Sequence, residues 1–378
     1  MAAEPVDTTL VEAFDLDYAP APESTATVDL ADRYGHFIGG EFVPARSGRT
    51  FTTISPSTGE PLAEVADGSA EDVDRAVVAA RSAFEDHWRD TPGRVRARYL
   101  YRIARHLQER AREFAVLETM DGGKPIAESR DVDIPLVAAH FFYNAGWADK
   151  LEYAFPQRRI SPHGVAGQII PWNFPLLMAA WKVAPALACG NTVVLKPAET
   201  TPLTALLLAE VLADVDLPPG VVNVVTGAGE TGAALVENPD VDKLAFTGST
   251  EVGKRIQASA LRRRLPLTLE LGGKAAHVIF EDAAVDQAIE GVINGIFFNQ
   301  GHVCCAGSRL LVQESIADRF VDQLLRRVDR LRVGDPLDKN TDVGAINSAV
   351  QLARITELVD AGVAEGADLH QSSCDLPE

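Results

Sequence analysis

The sequence predicts an α/β fold built on a doubly wound parallel sheet, and three observations predict it. Between Gly164 and Phe280, short runs rich in Val, Leu and Ile alternate with longer helical runs. The short runs VAGQII, TVVLK, VVNVV and KLAF are apolar at successive positions, as strands covered on both faces must be. Turns marked by Gly or Pro follow those strands, and such sheets bind ligands beyond the carboxyl ends of their strands.

At 378 residues the chain exceeds one compact core, so two domains are expected. Its 46% hydrophobic content is that of an ordinary globular protein. A net charge of −19 disfavours nucleic acid and anionic membrane as partners, because both repel it. No apolar run approaches the ~20 residues that span a bilayer. The N-terminus is acidic and lacks the basic-then-apolar order of a leader peptide. Cys189, Cys304, Cys305 and Cys374 have neither metal-ligand nor disulfide-framework spacing. No metal is therefore expected, and a reducing cytoplasm fits best.

In chain order, residues 1–30 are acidic and rich in Pro and Ala, which predicts a flexible arm. HFIGGEFVPARSG predicts a hairpin turning at Gly39-Gly40, and SPSTGEPL a turn. Ser69 and Asp72 open an amphipathic helix with Val73, Val77, Ala80 and Phe84 on one face. A second helix is predicted from Gly93 to Glu118, its arginines and glutamates forming a solvated face. A third begins near Pro125 and runs through VAAHFFYNAGWADKL. The alternating β/α region then follows, and a strand is expected at Leu310–Gln313.

Chemistry-bearing residues cluster at the strand ends. In PWNFP, Asn173 reads either as a helix N-cap or as an amide held for an oxyanion. Lys196 and Glu199 in KPAETTP suit ribose or phosphate contacts, or are surface charges. GAGETG fits G-x-G-x-x-G literally, and FTGSTEVG offers a second strand–glycine–helix turn. Spacing alone does not say which turn holds phosphates. Glu270, in the apolar strand TLELGGK, is either buried and paired or exposed as a general base. Cys304 and Cys305, between Gly301 and Gly307, read as small buried residues or as a nucleophile on a rigid junction.

Taken together and in this order, PWNFP, KPAETTP, FTGSTEVG, LELGGK and FNQGHVCCAGSR resemble the NAD(P)-dependent aldehyde dehydrogenase family from about Tyr34 onward. The resemblance implies a Rossmann-like NAD-binding domain over 31–272, with 141–163 as a bridging, oligomerisation segment. A partial α/β catalytic domain would fill 273–378. Cys304 falls on the family's nucleophile, Glu270 on its base and Asn173 on its oxyanion donor; Cys305 is then a structural neighbour. Implied cofactor contacts are Ile169, Pro171 and Trp172, then Lys196 and Glu199. Gly227 and Gly232 fall on the adenine side, and Phe246, Gly248, Ser249 and Val252 on the cofactor turn, with Leu271 and Gly272 beyond. NAD is expected over NADP, since Glu199 suits a ribose 2′-hydroxyl and repels a 2′-phosphate. The implied partner is a small-molecule aldehyde, whose identity the sequence does not specify. Phe174, Leu177, Trp181 and Phe298 read either as its apolar tunnel or as core.

The sequence departs from the family at His302, expected as a surface variant or a tuner of the thiolate, and at His277. Family members continue well past the position of Glu378, to a nicotinamide-ribose contact and a strand completing the oligomer. A truncated chain is therefore expected, binding NAD weakly and turning over poorly, while the full-length form is a homo-oligomer. The competing readings are a CoA-acylating semialdehyde dehydrogenase, against which Glu270 argues, and a silent NAD-binding remnant.

Overall fold

A computed structural model describes residues 19–158 and 160–372. Of the predicted arm, residues 1–18 lie outside the described residues. Residues 19–30 are tied down: Glu23 is buried, pairs with Arg112 and lies 3.3 Å from Lys339, and its N–H donates to Leu337 O.

Strands β1 (Arg33–Tyr34), β2 (His36–Ile38), β3 (Glu41–Val43), β4 (Thr50–Ile54) and β5 (Pro61–Ala66) come first. β1, β5 and β4 make a small sheet, while β2 and β3 form the expected hairpin. Gly39 and Gly40 have φ of 64° and 87°, which a side chain would strain. Helix α1 (Ala70–Ala83) begins at the predicted capping box, Ser69 N donating to Asp72 Oδ2 at 3.0 Å.

The predicted helix from Gly93 is two helices, α2 (Gly93–Glu109) and α3 (Ala111–Gly122). The break falls at Arg110 (φ −97°, ψ 16°), whose guanidinium bonds Glu113 and, across space, Glu210. Nor are all the glutamates solvated, since Glu118 is fully buried. The third predicted helix is continuous, α4 (Ile126–Glu128) running through a π-helical turn over Ser129–Asp133 into α5 (Ile134–Ala148), and it breaks only at Asp149, before the short α6 (Leu151–Ala154).

The β/α alternation follows as read: β6 (Val165–Ile169), α7 (Pro175–Ala188), β7 (Thr192–Lys196), α8 (Leu203–Asp214), β8 (Val222–Val224), α9 (Gly229–Glu237), β9 (Lys243–Gly248), α10 (Thr250–Arg263) and β10 (Leu267–Leu271). The sheet order is β10-β9-β6-β7-β8-β2-β3, with β6 to β10 parallel. The chain runs outward from β6 to β8, then crosses back to β9, so a switch point lies between β6 and β9. Alternation along β7 explains the two layers. Val193 and Leu195 join the core with α7 and α8, whereas Val194 joins the core with α1, α9 and α10. The hairpin extends the far edge, Phe37 pairing antiparallel with Val224.

A third, small core belongs to β11 (Ala276–Ile279), α11 (Val285–Phe297), β12 (Arg309–Val312) and α12 (Ala317–Val328), with Phe320 at its centre. Helix α13 (Ala349–Ala364) is the last regular element among the described residues. No helix among the described residues is long and apolar enough to cross a membrane.

Candidate functional site

A cavity of about 560 Å³ lies over the switch point, between α9 and α10. The end of β6 gives it Ile169, Pro171 and Trp172, and the end of β7 gives Lys196 and Glu199. Phe246, Gly248 and Ser249 come from β9 and its turn, Gly232 from α9 and Val252 from α10. Gly248 keeps this turn against the Phe246 ring: a Cβ would meet it at 2.5 Å, so the ring would have to move. Gly253 lets α10 lie on β10, since a Cβ there would meet Leu271 at 2.5 Å. Ser249 caps α10 by accepting the Val252 N–H, leaving other first-turn N–H groups without helical partners. Lys196 Nζ, almost fully buried, lies 3.2 Å from Glu199 Oε2, and burial holds its pKa below the usual lysine range.

Gly227 is a correction to the literal motif. It is buried at φ 142°, and a Cβ would strike Thr231 Oγ1 at 2.2 Å and approach Gly68 N at 3.0 Å. It serves the packing of the turn, while Gly229 and Gly232 line the cavity. Sequence reasoning missed Arg255 and Ser259, which line it from α10, and Glu237, to which Ser259 Oγ donates at 2.6 Å. Their signal was the helical spacing of 252, 255 and 259 on one face.

A second cavity of about 540 Å³ adjoins the first, and Pro171, Trp172, Thr247, Gly248 and Ser249 line both. It brings together Asn173, Cys304, Cys305, Leu271 and Gly272. Phe174, Leu177, Trp181 and Phe298 also line it, and Phe174 stacks on Phe298 with centroids 6.2 Å apart.

The loop carrying the cysteines is held in a costly conformation. Asn299, Gln300 and Gly301 all have positive φ (50°, 52° and 76°), at roughly 1–3 kcal/mol for each non-glycine. Side-chain amides offset that strain. Asn299 Nδ2 donates to Asn173 O at 2.6 Å, and Gln300 Nε2 donates to Gly123 O and Ala345 O. Asn299 N donates to Glu128 Oε2 at 2.8 Å. Burial pushes the Glu128 carboxyl up to about 8, against the pull of that N–H. In return, Asn173 Nδ2 donates to His302 O at 2.6 Å, leaving its second N–H for another acceptor.

His302 is not a surface variant. It is 8% exposed, and its ring meets Trp172 edge to face with centroids 4.8 Å apart. Burial, helped by the charge of Lys124, pushes the imidazole down to about 4, so the ring is neutral at neutral pH. Lys124 is itself fully buried, paired with Asp133 and stacked over Phe174. His277, the other departure, nests against two glycines: a Cβ at Gly307 would meet its Nε2 at 1.9 Å, and one at Gly295 at 2.7 Å.

Both Cys304 and Cys305 are exposed, so Cys305 is not a packed structural residue. Partial burial, then the adjacent Cys305, pushes the Cys304 thiol up. The folded chain thus leaves the proton on Cys304, and a thiolate requires an acceptor. Glu270 is exposed rather than buried and paired. It sits opposite Thr247 in the β10–β9 register, and the cavity reaches it only through its neighbours Leu271 and Thr247. Lys182 Nζ donates to Thr247 Oγ1 at 2.5 Å. Burial pushes Lys182 down to about 8, opposed by the charge of Glu270.

The sequence model of the aldehyde dehydrogenase family matches residues 42–375. The chain is 48% identical over 343 residues to aldehyde dehydrogenase family 2 member B4, mitochondrial, of Arabidopsis thaliana, covering 88% of this chain and 64% of that protein. It is likewise 48% identical over 345 residues to human aldehyde dehydrogenase, mitochondrial, covering 88% and 67%. An aldehyde dehydrogenase from Bacillus cereus, solved as an NAD+ complex, superposes with a TM-score of 0.86 at 42% identity, over 89% of this chain and 70% of that one. The chain thus spans about two thirds of the length of the relatives it matches. On the family match and these identities, this chain belongs to the aldehyde dehydrogenase family.

Proposed function

We propose that the chain carries the site of an NAD-dependent oxidation of aldehydes to carboxylic acids, with Cys304 as nucleophile. One observation carries the reading: the cavity holding Cys304 and Asn173 adjoins a nucleotide-sized cavity at the switch point, the two sharing Pro171, Trp172, Thr247, Gly248 and Ser249 as walls.

The residues present fit the dinucleotide. Gly232 and Gly248 leave room for close approach where a side chain would intrude, and the α10 N-terminus suits a pyrophosphate. Lys196 and Glu199 would hold the adenosine ribose, and Glu199 favours NAD over NADP. When bound, NAD supplies the hydride acceptor.

The chain's own residues do the rest. The Cys304 sulfur, once deprotonated, bonds to the aldehyde carbon and pushes the carbonyl electrons onto oxygen. That oxyanion accepts from the second Asn173 N–H and the Cys304 backbone N–H, each donor contributing ~3–4 kcal/mol. Loss of hydride leaves a thioester on Cys304. Glu270 then takes a proton from water, which attacks the thioester and frees the acid. The water step separates this reading from transfer of the acyl group to CoA.

Two further proposals accompany it: a reducing compartment, from the two open thiols, and assembly into a homo-oligomer. Because Glu270 does not line the cavity that holds Cys304 and burial pushes the Cys304 thiol up, nucleotide binding without turnover is the second reading. Titration of NAD beside an assay of aldehyde-dependent NADH formation tests the two. Saturable binding with NADH produced supports the enzyme; binding with no NADH and no acylated Cys304 supports the second.

A further inference from the structure

We infer that His140 is a positioning residue for the aldehyde channel, fixing the Trp181 indole as the channel's outer wall and so selecting aldehydes with an extended apolar or aromatic group. This deepens the reading above and rests on it.

Trp181 lines the catalytic cavity yet is 47% exposed. It is the seventh residue of α7, about 9 Å along the helix from Pro175, which follows Asn173 by two residues. A half-exposed indole at that distance would sample several rotamers unless something held it. His140 on α5 holds it: Trp181 Nε1 donates to His140 Nε2, and the rings meet edge to face at 5.5 Å. For Nε2 to accept, the ring proton must sit on Nδ1 and the imidazole must be neutral. Burial keeps it so, pushing the pKa of His140 below its ordinary value. One turn before His140, Leu136 lines the same cavity. Helix α5 therefore supplies one wall residue and the anchor for another on α7.

The chemistry of the ligand follows from the wall. An indole held by its N–H forms, together with Leu177, Leu136 and Phe298, a fixed apolar wall for whatever enters. A one- or two-carbon aldehyde reacting at Cys304 does not reach Trp181. An aldehyde whose chain or ring extends ~10 Å from the carbonyl does, and only that class gains from His140.

The test compares H140F, which keeps a ring but loses the acceptor, with H140Q, which keeps an acceptor. Alkylation of Cys304 by iodoacetamide and by N-benzyl iodoacetamide is followed by peptide mass spectrometry, alongside acrylamide quenching of tryptophan fluorescence. H140F should lower the benzyl-to-methylene rate ratio roughly fivefold, the scale of one hydrogen bond, and H140Q should restore at least half of it. H140F should add nothing in a W181A background. Quenching should rise in H140F and return toward wild type in H140Q. A ratio unchanged in H140F, or H140Q as altered as H140F, overturns the proposal. If Cys304 resists iodoacetamide in the wild-type chain, the nucleophile reading fails, and the quenching comparison still decides whether His140 fixes Trp181.

Discussion

Asn299 donates its side-chain amide to the backbone carbonyl of Asn173 at 2.6 Å, and Asn173 donates its own amide to the carbonyl of His302 at the same distance. Two asparagines far apart in sequence thus tie the turn after β6 to the cysteine loop. N299A should lower stability by about 2–3 kcal/mol, through an unpaired carbonyl and an alanine at positive φ. N299G should recover the backbone part of that loss only. Both should slow Cys304 alkylation, measured against thermal unfolding of the same variants.

Glu128 makes stability depend on pH. Its folded-state pKa of about 8 lies above the unfolded value of 4.5, so its contribution is fully present below pH 4.5 and lost as pH rises through about 8. E128Q keeps an acceptor for Asn299 N–H and removes the titration. Its unfolding free energy should match wild type near pH 4.5 and exceed it at pH 8.5, by on the order of 2–4 kcal/mol, with the unfolding midpoint moving in step. Equal midpoints at both pH values would show that the carboxyl is not held up.

His302 should contribute no inflection near its ordinary pKa. Its imidazole is already neutral above about pH 4, so the rate of Cys304 alkylation between pH 5 and 9 should follow the thiol alone. H302Q should leave the shape of that profile unchanged. A step near 6.5 that H302Q abolishes would overturn the assignment.

Glu199 should govern the choice between dinucleotides. E199Q removes one charge at the proposed ribose position and should shift the NADP-to-NAD affinity ratio by about tenfold toward NADP, the worth of one screened charge. Titration of both nucleotides checks it. An unchanged ratio would place the 2′ position elsewhere.

The alternation of strand and helix from Val165 to Leu271 was legible because strands covered on both faces must be continuously apolar. The split of the helix after Gly93 was not: the break falls at Arg110, a residue with ordinary helix propensity whose guanidinium pairs with Glu113 and, a hundred residues away, Glu210. Charge misled in the same way at Glu118, whose partner Lys124 lies beyond its own helix. The strand-end residues were readable as candidates, since a switch point gathers them whatever their spacing. Lys182 carried no signal in an apolar helix, and its place beside Thr247 depends on β9. His302 looked like a surface residue because only the fold brings Trp172 and Lys124 to it.

The most direct measurement is the mass of the Cys304 peptide after the E270Q chain meets an aldehyde and NAD. With the proposed water-activating carboxylate removed, an acyl group should accumulate on Cys304, absent from C304S and still formed in C305S. An unmodified Cys304 peptide with NADH produced, or the acyl group on Cys305 instead, would contradict the account.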